Sequence, residues 1–316
     1  MTNFGETTTA DEVLEGIELT GRRALVTGAS AGLGEETTRA LASHGAAVTM
    51  AVRDQARGDA AVERIKATVP DADLEVRILE LASLASVRDF AAGFLAEHDR
   101  LDLLINNAGI MACPQGVTAD GFETQFGTNH LGHFLLATLL APALVAAAPS
   151  RVVALSSAGH RRSDVDLDDP GFETTPYEPW IAYGRSKTAN ALFAVGFDHR
   201  FASQGVRAFA VHPGVIATEL SRHLTDETLS ALISTMSSAR EVRYKSVPQG
   251  AATSVWAATA PELDGRGGLY LEDCHIAELT DDPEVSGGVR AYALDPDRAD
   301  ALWARSEELI AASAVG

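Results

Sequence analysis

The chain has 316 residues, of which 46% are apolar and 22% are charged, and its formal net charge is −19. This composition is typical of a folded globular protein and excludes a disordered or fibrous one. An acidic surface repels phosphate backbones and anionic lipids, so nucleic acids and membranes are disfavoured as partners.

The two cysteines, Cys113 and Cys274, are too few for a disulfide framework or a four-ligand zinc site. The first residues carry neither the basic region nor the apolar region of a signal peptide. Both observations predict a cytoplasmic protein. Residues 134–148 form the longest apolar stretch, which contains Pro142 and is too short to cross a bilayer. We therefore predict a buried helix there.

Short runs rich in β-branched residues alternate along the chain with longer segments of helical apolar spacing. The strand-like runs are residues 23–27, 46–52, 74–79, 101–105, 151–155 and 206–211. The helix-like segments include residues 34–45, 84–98 and 186–202. Because the strand-like runs lack strict polar alternation, we expect both faces of each strand to be covered. The pattern predicts an α/β fold, namely a Rossmann-like, doubly wound parallel sheet with helices on both faces, formed by residues 1–316 as a single domain.

Four segments fall outside this alternation. They are an N-terminal extension (1–20), a polar insert (158–181), a polar segment interpreted as a substrate lid (219–246) and a C-terminal extension (276–316). Loops at the carboxyl ends of parallel strands build the binding sites of such folds. We therefore expect the insert and the lid to wall a pocket, and the alternative is that each is a solvent-exposed excursion.

A glycine-rich turn joins the first predicted strand to the first predicted helix. Gly28 permits a tight turn, Gly32 lets the backbone approach a phosphate, and Gly34 lets the helix pack close to the strand. The N-terminus of the helix then presents free N–H groups and a partial positive charge. The turn predicts a site for the pyrophosphate of a dinucleotide.

Three more motifs lie at predicted strand ends or on a predicted helix. They are Asn106-Asn107-Ala108-Gly109, Tyr183 with Lys187 four residues later, and Pro213-Gly214-Val215-Ile216-Ala217-Thr218. Together with the TGxxxGxG spacing of the glycine turn, these motifs resemble the short-chain dehydrogenase/reductase superfamily over about residues 20–275. Residues 129–134, the long insert and the segment 271–274 further resemble its retinol-dehydrogenase-like branch.

Transfer of a hydride to a carbonyl requires an acid that protonates the developing alkoxide, and the reverse reaction requires a base. Tyr183 is the candidate. Lys187 lies on the same helical face, so we expect its ammonium group, helped by the oxidised cofactor, to lower the pKa of the phenol by about three units. The resemblance implies that Ser157 hydrogen-bonds the substrate oxygen, with Ser156 as the competing serine, and that Asn129 holds a water in a proton relay.

The resemblance also implies a nicotinamide dinucleotide as the cofactor. The residues expected to bind it are Gly28, Ser30, Ala31, Gly32, Leu33, Gly34, Arg53, Glu80, Leu81, Asn107, Ala108, Gly109, Tyr183, Lys187, Pro213, Gly214, Ile216 and Thr218.

The end of the second strand predicts which nicotinamide cofactor is preferred. Val52 stands where NAD-preferring relatives usually carry Asp, and the Arg53 guanidinium can pair with a 2′-phosphate. Asp54 is expected to face solvent. These residues predict NADP(H). Two positions depart from the family pattern, because Ala31 replaces a residue that is basic in many NADP-preferring relatives and Glu80 replaces the usual Asp beside the adenine.

No metal site is predicted. Residues 164–169 begin like a calcium loop but lack the glycine and the glutamate that such a loop requires at its sixth and twelfth positions. His130 and His133 share a helix face without a further ligand at metal spacing, and Cys274-His275 is a single pair.

The motifs predict an NADP(H)-dependent oxidoreductase that acts on the carbonyl or alcohol group of a small or lipophilic molecule. A non-catalytic NADP-binding sensor or scaffold is the alternative, although such relatives typically lose the Tyr or the Lys. A sugar-nucleotide epimerase or dehydratase would usually show TGxxGxxG spacing and a larger C-terminal domain. In this superfamily the helices that carry the equivalents of Asn129 and Tyr183 commonly form a dimer contact. We therefore expect a homodimer or homotetramer, with residues 134–148 in the interface.

Overall fold

The computed structural model describes residues 4–216, 244–282, 285 and 287–313. The strands within these residues are β1 (Arg23–Thr27), β2 (Ala47–Val52), β3 (Leu74–Ile78), β4 (Leu103–Asn106), β5 (Ser150–Leu155), β6 (Val206–His212), β7 (Val215–Ile216), β8 (Tyr244–Lys245), β9 (Leu269–Glu272) and β10 (His275–Ile276). One eight-stranded sheet has the order β10-β9-β6-β5-β4-β1-β2-β3, and β7 pairs with β8 in a second, two-stranded sheet. Within the larger sheet the pairs are parallel except β9 with β10.

Helices cover both faces of the larger sheet. They are α1 (Ala10–Leu14), α2 (Gly32–Ser43), α3 (Gln55–Thr68), α4 (Leu84–Glu97), α5 (Thr124–Phe126), α6 (Gly132–Ala146), α7 (Pro179–Phe201), α8 (Val247–Thr259) and α9 (Pro296–Ser313). Consecutive residues of β1 show the layering, because Leu25 belongs to the core under α4, α6, α7 and α9, whereas Val26 belongs to the core under α1, α2, α3 and α8. The prediction of a doubly wound parallel sheet is confirmed.

The strand order reverses between β1 and β4, which are neighbours in the sheet although β2 and β3 separate them in the chain. In such folds the crevice outside the carboxyl ends of the strands at this switch point binds the ligand. The glycine turn follows β1 and the Asn106–Gly109 motif follows β4. Topology therefore brings these two predicted motifs to one place.

Helix α7 begins at Pro179, earlier than the predicted start at residue 186. Glu178 caps the helix by accepting a hydrogen bond from the Ile181 N–H, and proline is favoured in the first turn because its missing N–H has no partner there in any helix. The last residues of the polar insert, 179–181, are thus the first turn of the helix that carries Tyr183.

The apolar stretch 134–148 lies mostly within a long helical segment, Thr124–Ala146, in which a π-helical turn (Gly127–Leu131) connects α5 to α6. This is the one described helix that is long and apolar enough to cross a membrane by length and composition, a test that the core helix of a soluble protein also passes. Leu136, Leu140 and Leu144 are fully buried within the fold. The prediction of a buried helix is confirmed.

The C-terminal extension (276–316) contains the last residue of β10 and all of α9, and α9 covers part of α6 and α7. The Trp303 ring stacks parallel to Phe193 of α7, with ring centroids 6.3 Å apart, and meets Phe134 of α6 edge-on at 4.7 Å. The Arg200 guanidinium lies 4.1 Å from the centroid of the Trp303 ring. Phe134, the first residue of the stretch 134–148 that is expected in a subunit interface, is therefore covered by α9 of the same chain.

Candidate functional site

The glycine turn and the start of α2 form a cradle without side chains. Gly28 and Gly32 have positive φ angles of 68° and 57°. A Cβ atom on Gly34 would collide with the Gly28 carbonyl oxygen and lie 2.6 Å from the Asn107 side-chain nitrogen. The residue before α2, Ala31, provides no side-chain cap, so the N–H groups of the first turn are left for another acceptor. This arrangement fits the pyrophosphate of a dinucleotide.

Hydrogen bonds tie the turn after β1 to the motif after β4. The Thr27 hydroxyl accepts hydrogen bonds from the backbone N–H groups of Asn107 and Ala108, at 2.9 and 3.0 Å. The Asn107 side chain donates to the Thr27 carbonyl at 2.8 Å. A Cβ atom on Gly109 would lie 3.3 Å from Asn129 Oδ1. The end of the predicted cofactor-binding motif 106–109 is therefore adjacent to Asn129, a predicted catalytic residue.

At the end of β2, Val52 is buried and Arg53 is exposed. No hydrogen-bond or ion-pair partner of the Arg53 side chain is found among the residues that the structure describes, so its guanidinium is available to an anion. The Asp54 side chain is exposed, as expected, but it also caps α3 by accepting a hydrogen bond from the Arg57 N–H at 2.9 Å. Ser30 contributes its carbonyl oxygen to Arg64 at 3.1 Å, which ties the glycine turn to α3.

Glu80 and Leu81 follow β3 with different surroundings. A carboxylate oxygen of Glu80 accepts a hydrogen bond from the Ala82 N–H at 3.0 Å, so the side chain turns back on its own loop. Leu81 is buried, and its side chain lies close to Gly132 at the start of α6. The carboxylate of Glu80 thus has a structural partner in its own loop.

The segment after β6 reaches the opposite side of the glycine turn. Gly214 has a φ angle of 97°, and a Cβ atom there would lie 2.7 Å from the aliphatic chain of Lys245. A Cβ atom on Gly250 of α8 would lie 2.6 Å from Ile216 and 2.7 Å from Leu33, so these two predicted cofactor residues converge. Thr218 and residues 219–243 of the predicted lid lie outside the described residues. The remaining lid residues, 244–246, form β8 and the N-cap of α8.

Tyr183, Lys187 and Asn129 come together where α7 and the π-helical turn face the end of β5. All three side chains are buried. The Lys187 ammonium nitrogen lies 5.6 Å from the centroid of the Tyr183 ring and donates to the Leu155 carbonyl at 3.0 Å. Asn129 exchanges two hydrogen bonds of 2.9 Å with the backbone of Ile110. Spacing predicted Tyr183 and Lys187 on one helical face and the family resemblance added Asn129, and the fold brings the three side chains together.

The two serines after β5 have different partners. The Ser157 hydroxyl accepts a hydrogen bond from the Gly159 N–H at 3.1 Å and lies beside the Tyr183 hydroxyl, whose pKa it lowers. The Ser156 hydroxyl is buried and donates to the Lys187 carbonyl at 2.7 Å. The geometry favours Ser157 as the serine that reaches a substrate and Ser156 as a residue that holds α7.

Burial dominates the electrostatics of the site. It raises the pKa of Tyr183 to about 12, despite the opposing hydrogen bond from Ser157, and it lowers the pKa of Lys187 to about 8. The pKa of Tyr183 is that of the protein without cofactor, in which desolvation penalises the ionised phenol. The expected lowering of the phenol pKa by Lys187 together with the oxidised cofactor stays a prediction. At neutral pH Tyr183 keeps its proton and can donate it.

Two groups of residues near Tyr183 escaped the sequence analysis. Met111, Ala112 and Trp180 pack with Tyr183 in a small apolar cluster, and Trp180 is three residues before Tyr183 on the same helical face. His160 follows Ser157 in a 3₁₀ helix and is fully buried. The i, i+3 spacing of Trp180 was a usable signal. The role of His160 depends on residues more than a hundred positions away and had no local signal.

The segments considered as metal ligands have other partners. The Asp169 carboxylate accepts five hydrogen bonds from the backbone and hydroxyl groups of residues 173–175, so it organises the insert. His133 contacts the Thr27 hydroxyl and His130 contacts the Ser306 hydroxyl. A separate group, Glu75, Glu97 and His98, has ligand atoms close together, but Arg77 forms ion pairs with both glutamates.

Comparison with known sequences identifies relatives that align with most of the chain. Residues 22–229 match the family model described as short chain dehydrogenase. A Streptomyces lividans protein named "Probable oxidoreductase" is 45% identical over 302 residues, covering 94% of this chain and 100% of the relative. Retinol dehydrogenase 12 of Mus musculus is 43% identical over 294 residues, covering 93% of this chain and 88% of the relative.

Solved structures share the fold. An uncharacterized protein from Mycobacterium Paratuberculosis matches with a TM-score of 0.73 and 36% identity, covering 96% of this chain and 97% of that one. The Pseudomonas aeruginosa RhlG/NADP active-site complex matches with a TM-score of 0.64 and 25% identity, covering 81% of this chain and 95% of that one. The chain is an oxidoreductase that belongs to the short-chain dehydrogenase family, and retinol dehydrogenases are among its relatives.

Proposed function

We propose that the chain is an NADP(H)-dependent reductase that converts the carbonyl group of a small or lipophilic molecule to an alcohol, and the alcohol back to the carbonyl at higher pH. The observation that carries the proposal is the pair of hydroxyl groups of Tyr183 and Ser157, which lie side by side in a buried site above Lys187. Two adjacent hydroxyl donors can polarise a carbonyl oxygen and protonate it.

When bound, the nicotinamide supplies the hydride in reduction and accepts it in oxidation. Ser157 orients the substrate oxygen and polarises its bond to carbon. Tyr183, which keeps its proton at neutral pH, donates it to the oxygen as negative charge develops there. Lys187 is held by the Leu155 carbonyl, and Asn129 by the backbone of Ile110, so both present fixed polar groups behind the phenol. The protonated phenol favours reduction at neutral pH.

The preference for NADP(H) rests on Arg53. Its guanidinium is exposed at the end of β2 and has no partner among the described residues, while the preceding Val52 offers no carboxylate to the ribose hydroxyls. Asp54 is engaged as the cap of α3 and is two residues from Val52. A free guanidinium and an absent carboxylate favour a ribose that carries a 2′-phosphate.

The substrate class is proposed from the surroundings of Tyr183. Met111, Ala112 and Trp180 provide apolar surface beside the phenol. Retinol dehydrogenase 12 is a relative by sequence, so retinal belongs in any panel of aldehydes and ketones. A cytoplasmic location is proposed because the chain has only two cysteines, too few for a disulfide framework. Self-association as a homodimer or homotetramer would use a surface other than the aromatic cluster under α9.

The experiment is incubation of the purified chain with NADPH and a panel of aromatic, aliphatic and polyene aldehydes and ketones, followed at the NADPH absorbance band. We expect oxidation of NADPH with at least one apolar carbonyl compound. Tight binding of NADPH without turnover on any compound would instead support the sensor or scaffold. A sugar nucleotide as the only substrate would support the epimerase or dehydratase.

A further inference from the structure

We propose that His160 is a positioning residue for Ser157, and that through it the C-terminal extension forms part of the active site. The proposal rests on the proposed function, in which the Ser157 hydroxyl binds the substrate oxygen. His160 touches neither Tyr183 nor Lys187 by any hydrogen bond among the described residues, so its effect would pass through the loop that carries Ser157.

On one side, His160 closes the turn that begins at Ser157. Its ring nitrogen Nδ1 lies 2.7 Å from the Ser157 carbonyl oxygen, and its backbone N–H donates to the same oxygen at 3.0 Å. The Ser157 hydroxyl meanwhile accepts a hydrogen bond from the Gly159 N–H. Both the carbonyl and the hydroxyl of Ser157 are thus held by residues 159–160, which fixes the direction of the hydroxyl.

On the other side, His160 is held by the C-terminal extension. The Arg290 N–H donates to ring nitrogen Nε2 at 3.2 Å. Because a backbone N–H can only donate, Nε2 carries no proton, and the ring must be the neutral form with its proton on Nδ1. That is the tautomer that can donate to the Ser157 carbonyl. Burial lowers the pKa of His160 to about 4, which keeps the ring neutral at physiological pH.

Three further contacts hold the same loop. The Tyr292 hydroxyl donates to the His160 carbonyl at 2.6 Å. The Arg161 side chain donates to the Gly288 carbonyl at 3.2 Å. Tyr270 of β9 lies against the His160 ring, with centroids 4.9 Å apart, and its hydroxyl oxygen is a second neighbour of Nδ1, at 3.1 Å. A chain of direct hydrogen bonds therefore runs from residues 288–292, through a histidine of fixed tautomer, to the serine that is proposed to bind the substrate oxygen.

Two variants of His160 separate the donor from the rest of the ring. His160→Phe keeps an aromatic ring and removes both nitrogens, whereas the amide of His160→Asn places an N–H donor near the position of Nδ1. We expect His160→Phe to lower kcat by about 10-fold or more, the equivalent of one lost hydrogen bond, with the NADPH dissociation constant changed less than about two-fold. His160→Asn is expected to recover most of the lost kcat.

The decisive measurement repeats His160→Phe in a Ser157→Ala background. If His160 acts through Ser157, the second substitution leaves the residual kcat unchanged, because the serine hydroxyl that it positions is absent. Independent, multiplying losses would overturn the proposal. So would an unchanged kcat in His160→Phe, or a loss of NADPH affinity that matches the loss of kcat. Failure of the proposed function shows itself separately, as a wild-type chain without turnover or a Ser157→Ala variant with full activity.

Tyr292→Phe tests the proposal if His160→Phe does not fold, because it removes only the hydroxyl that holds the His160 carbonyl. We expect a smaller loss of kcat that again disappears in the Ser157→Ala background. Ile310→Ala is the matched control, since it loosens the buried face of α9 without touching residues 288–292. Its kcat should equal that of the wild type at temperatures where both remain folded. An equal loss of kcat in Ile310→Ala would indicate a general effect of destabilisation and overturn the proposal.

Discussion

Tyr183 and Lys187 show how burial, and not only charge, sets the chemistry of individual side chains. Both lie in a site where desolvation penalises the ionised form, so the pKa of the acid rises to about 12 while that of the amine falls to about 8. A buried phenol of this kind keeps its proton at neutral pH and is a proton donor there.

The Tyr183 hydroxyl can be removed with little change of shape. Tyr183→Phe keeps the ring that packs against Trp180 and Ala112, so we expect the fold and NADPH binding to persist. Loss of the proton donor should lower kcat by about 10²-fold or more. The measurement is kcat for carbonyl reduction beside an NADPH titration. Activity within a few-fold of the wild type would exclude Tyr183 as the acid.

Replacement of Arg53 tests whether its side chain contacts the cofactor or is merely exposed to solvent. If its guanidinium pairs with the 2′-phosphate, Arg53→Ala should lower kcat/KM for NADPH by roughly 10- to 100-fold, the loss of one charge-assisted hydrogen bond, and leave that for NADH nearly unchanged. Adding Val52→Asp should shift the preference further toward NADH, because a carboxylate repels the phosphate. Both cofactors are measured at one ionic strength, since salt screens the contact. Equal losses for the two cofactors would contradict the assignment.

The elements differ in how far the sequence determined them. The buried strands β1, β2, β4, β5 and β6 were predicted within a few residues, because continuous apolar runs are a local signal. The start of α7 was missed because a proline-rich segment was interpreted as a loop, although Glu178 and Pro179 are a capping residue and a first-turn proline. Helix α9 and its contacts with Phe134 and Phe193 depend on long-range packing that no local pattern encodes.

The residues of the candidate site also differ in whether a local sequence pattern reveals them. Tyr183, Lys187 and the glycine turn were recognisable because their spacing follows from one helix or one turn. His160 was not recognisable, because its proposed role depends on contacts with Arg290 and Tyr292, which are 130 and 132 positions away in the sequence. The pKa of Tyr183 without cofactor had no local signal either, because the degree of burial is a property of the packed fold and cannot be read from the four-residue spacing to Lys187.

At the level of elements, the junction of β1 with α2 depends on Gly34. A Cβ atom there would collide with the Gly28 carbonyl oxygen, so Gly34→Ala must displace the turn that is proposed to hold the pyrophosphate. We expect a loss of stability of about 1–3 kcal/mol and a clear rise in the NADPH dissociation constant. Both are measured by denaturant unfolding and cofactor titration.

Gly93→Ala is the matched control for Gly34→Ala. Gly93 also lies in a helix, α4, but a Cβ atom there would be 3.7 Å from its nearest neighbour, an Arg77 nitrogen. Because alanine favours the helix and nothing collides, this change should leave NADPH binding unaltered and stability equal or higher by up to about 1 kcal/mol. Unchanged NADPH binding in Gly34→Ala would show that the turn does not hold the cofactor.

Four histidines with lowered pKa values make the stability of the whole molecule depend on pH. Burial lowers the pKa values of His130 and His212 to about 3 and those of His133 and His160 to about 4, against an ordinary value of 6.5. Between these values the unfolded chain binds protons that the folded chain does not, so the stabilisation is complete above about pH 6.5 and is lost as the pH falls toward 4. Each unit of pKa difference corresponds to about 1.4 kcal/mol.

Three carboxyl groups act in the opposite direction. Burial raises the pKa values of Glu123, Asp164 and Asp198, so these groups favour the folded chain as the pH falls. The pKa values of the four histidines each lie more than two pH units below the ordinary value of 6.5, and a domain has only about 5–15 kcal/mol of stability to lose. We therefore expect the histidines to determine the direction of the change, and the free energy of unfolding to fall steadily from about pH 6.5 to about pH 4.5.

The measurement is the denaturant midpoint of the wild type at several pH values between 7.5 and 4.5. His160→Asn removes one of the four titrating rings, so the stability of the variant should fall less steeply with decreasing pH than that of the wild type, whatever its stability at pH 7.5. The exposed His199 is the control, because His199→Asn removes an imidazole from the surface and should leave the slope unchanged. A midpoint that stays constant down to pH 5, or the same slope in His160→Asn as in the wild type, would show that these buried rings do not govern the acid limit of the fold.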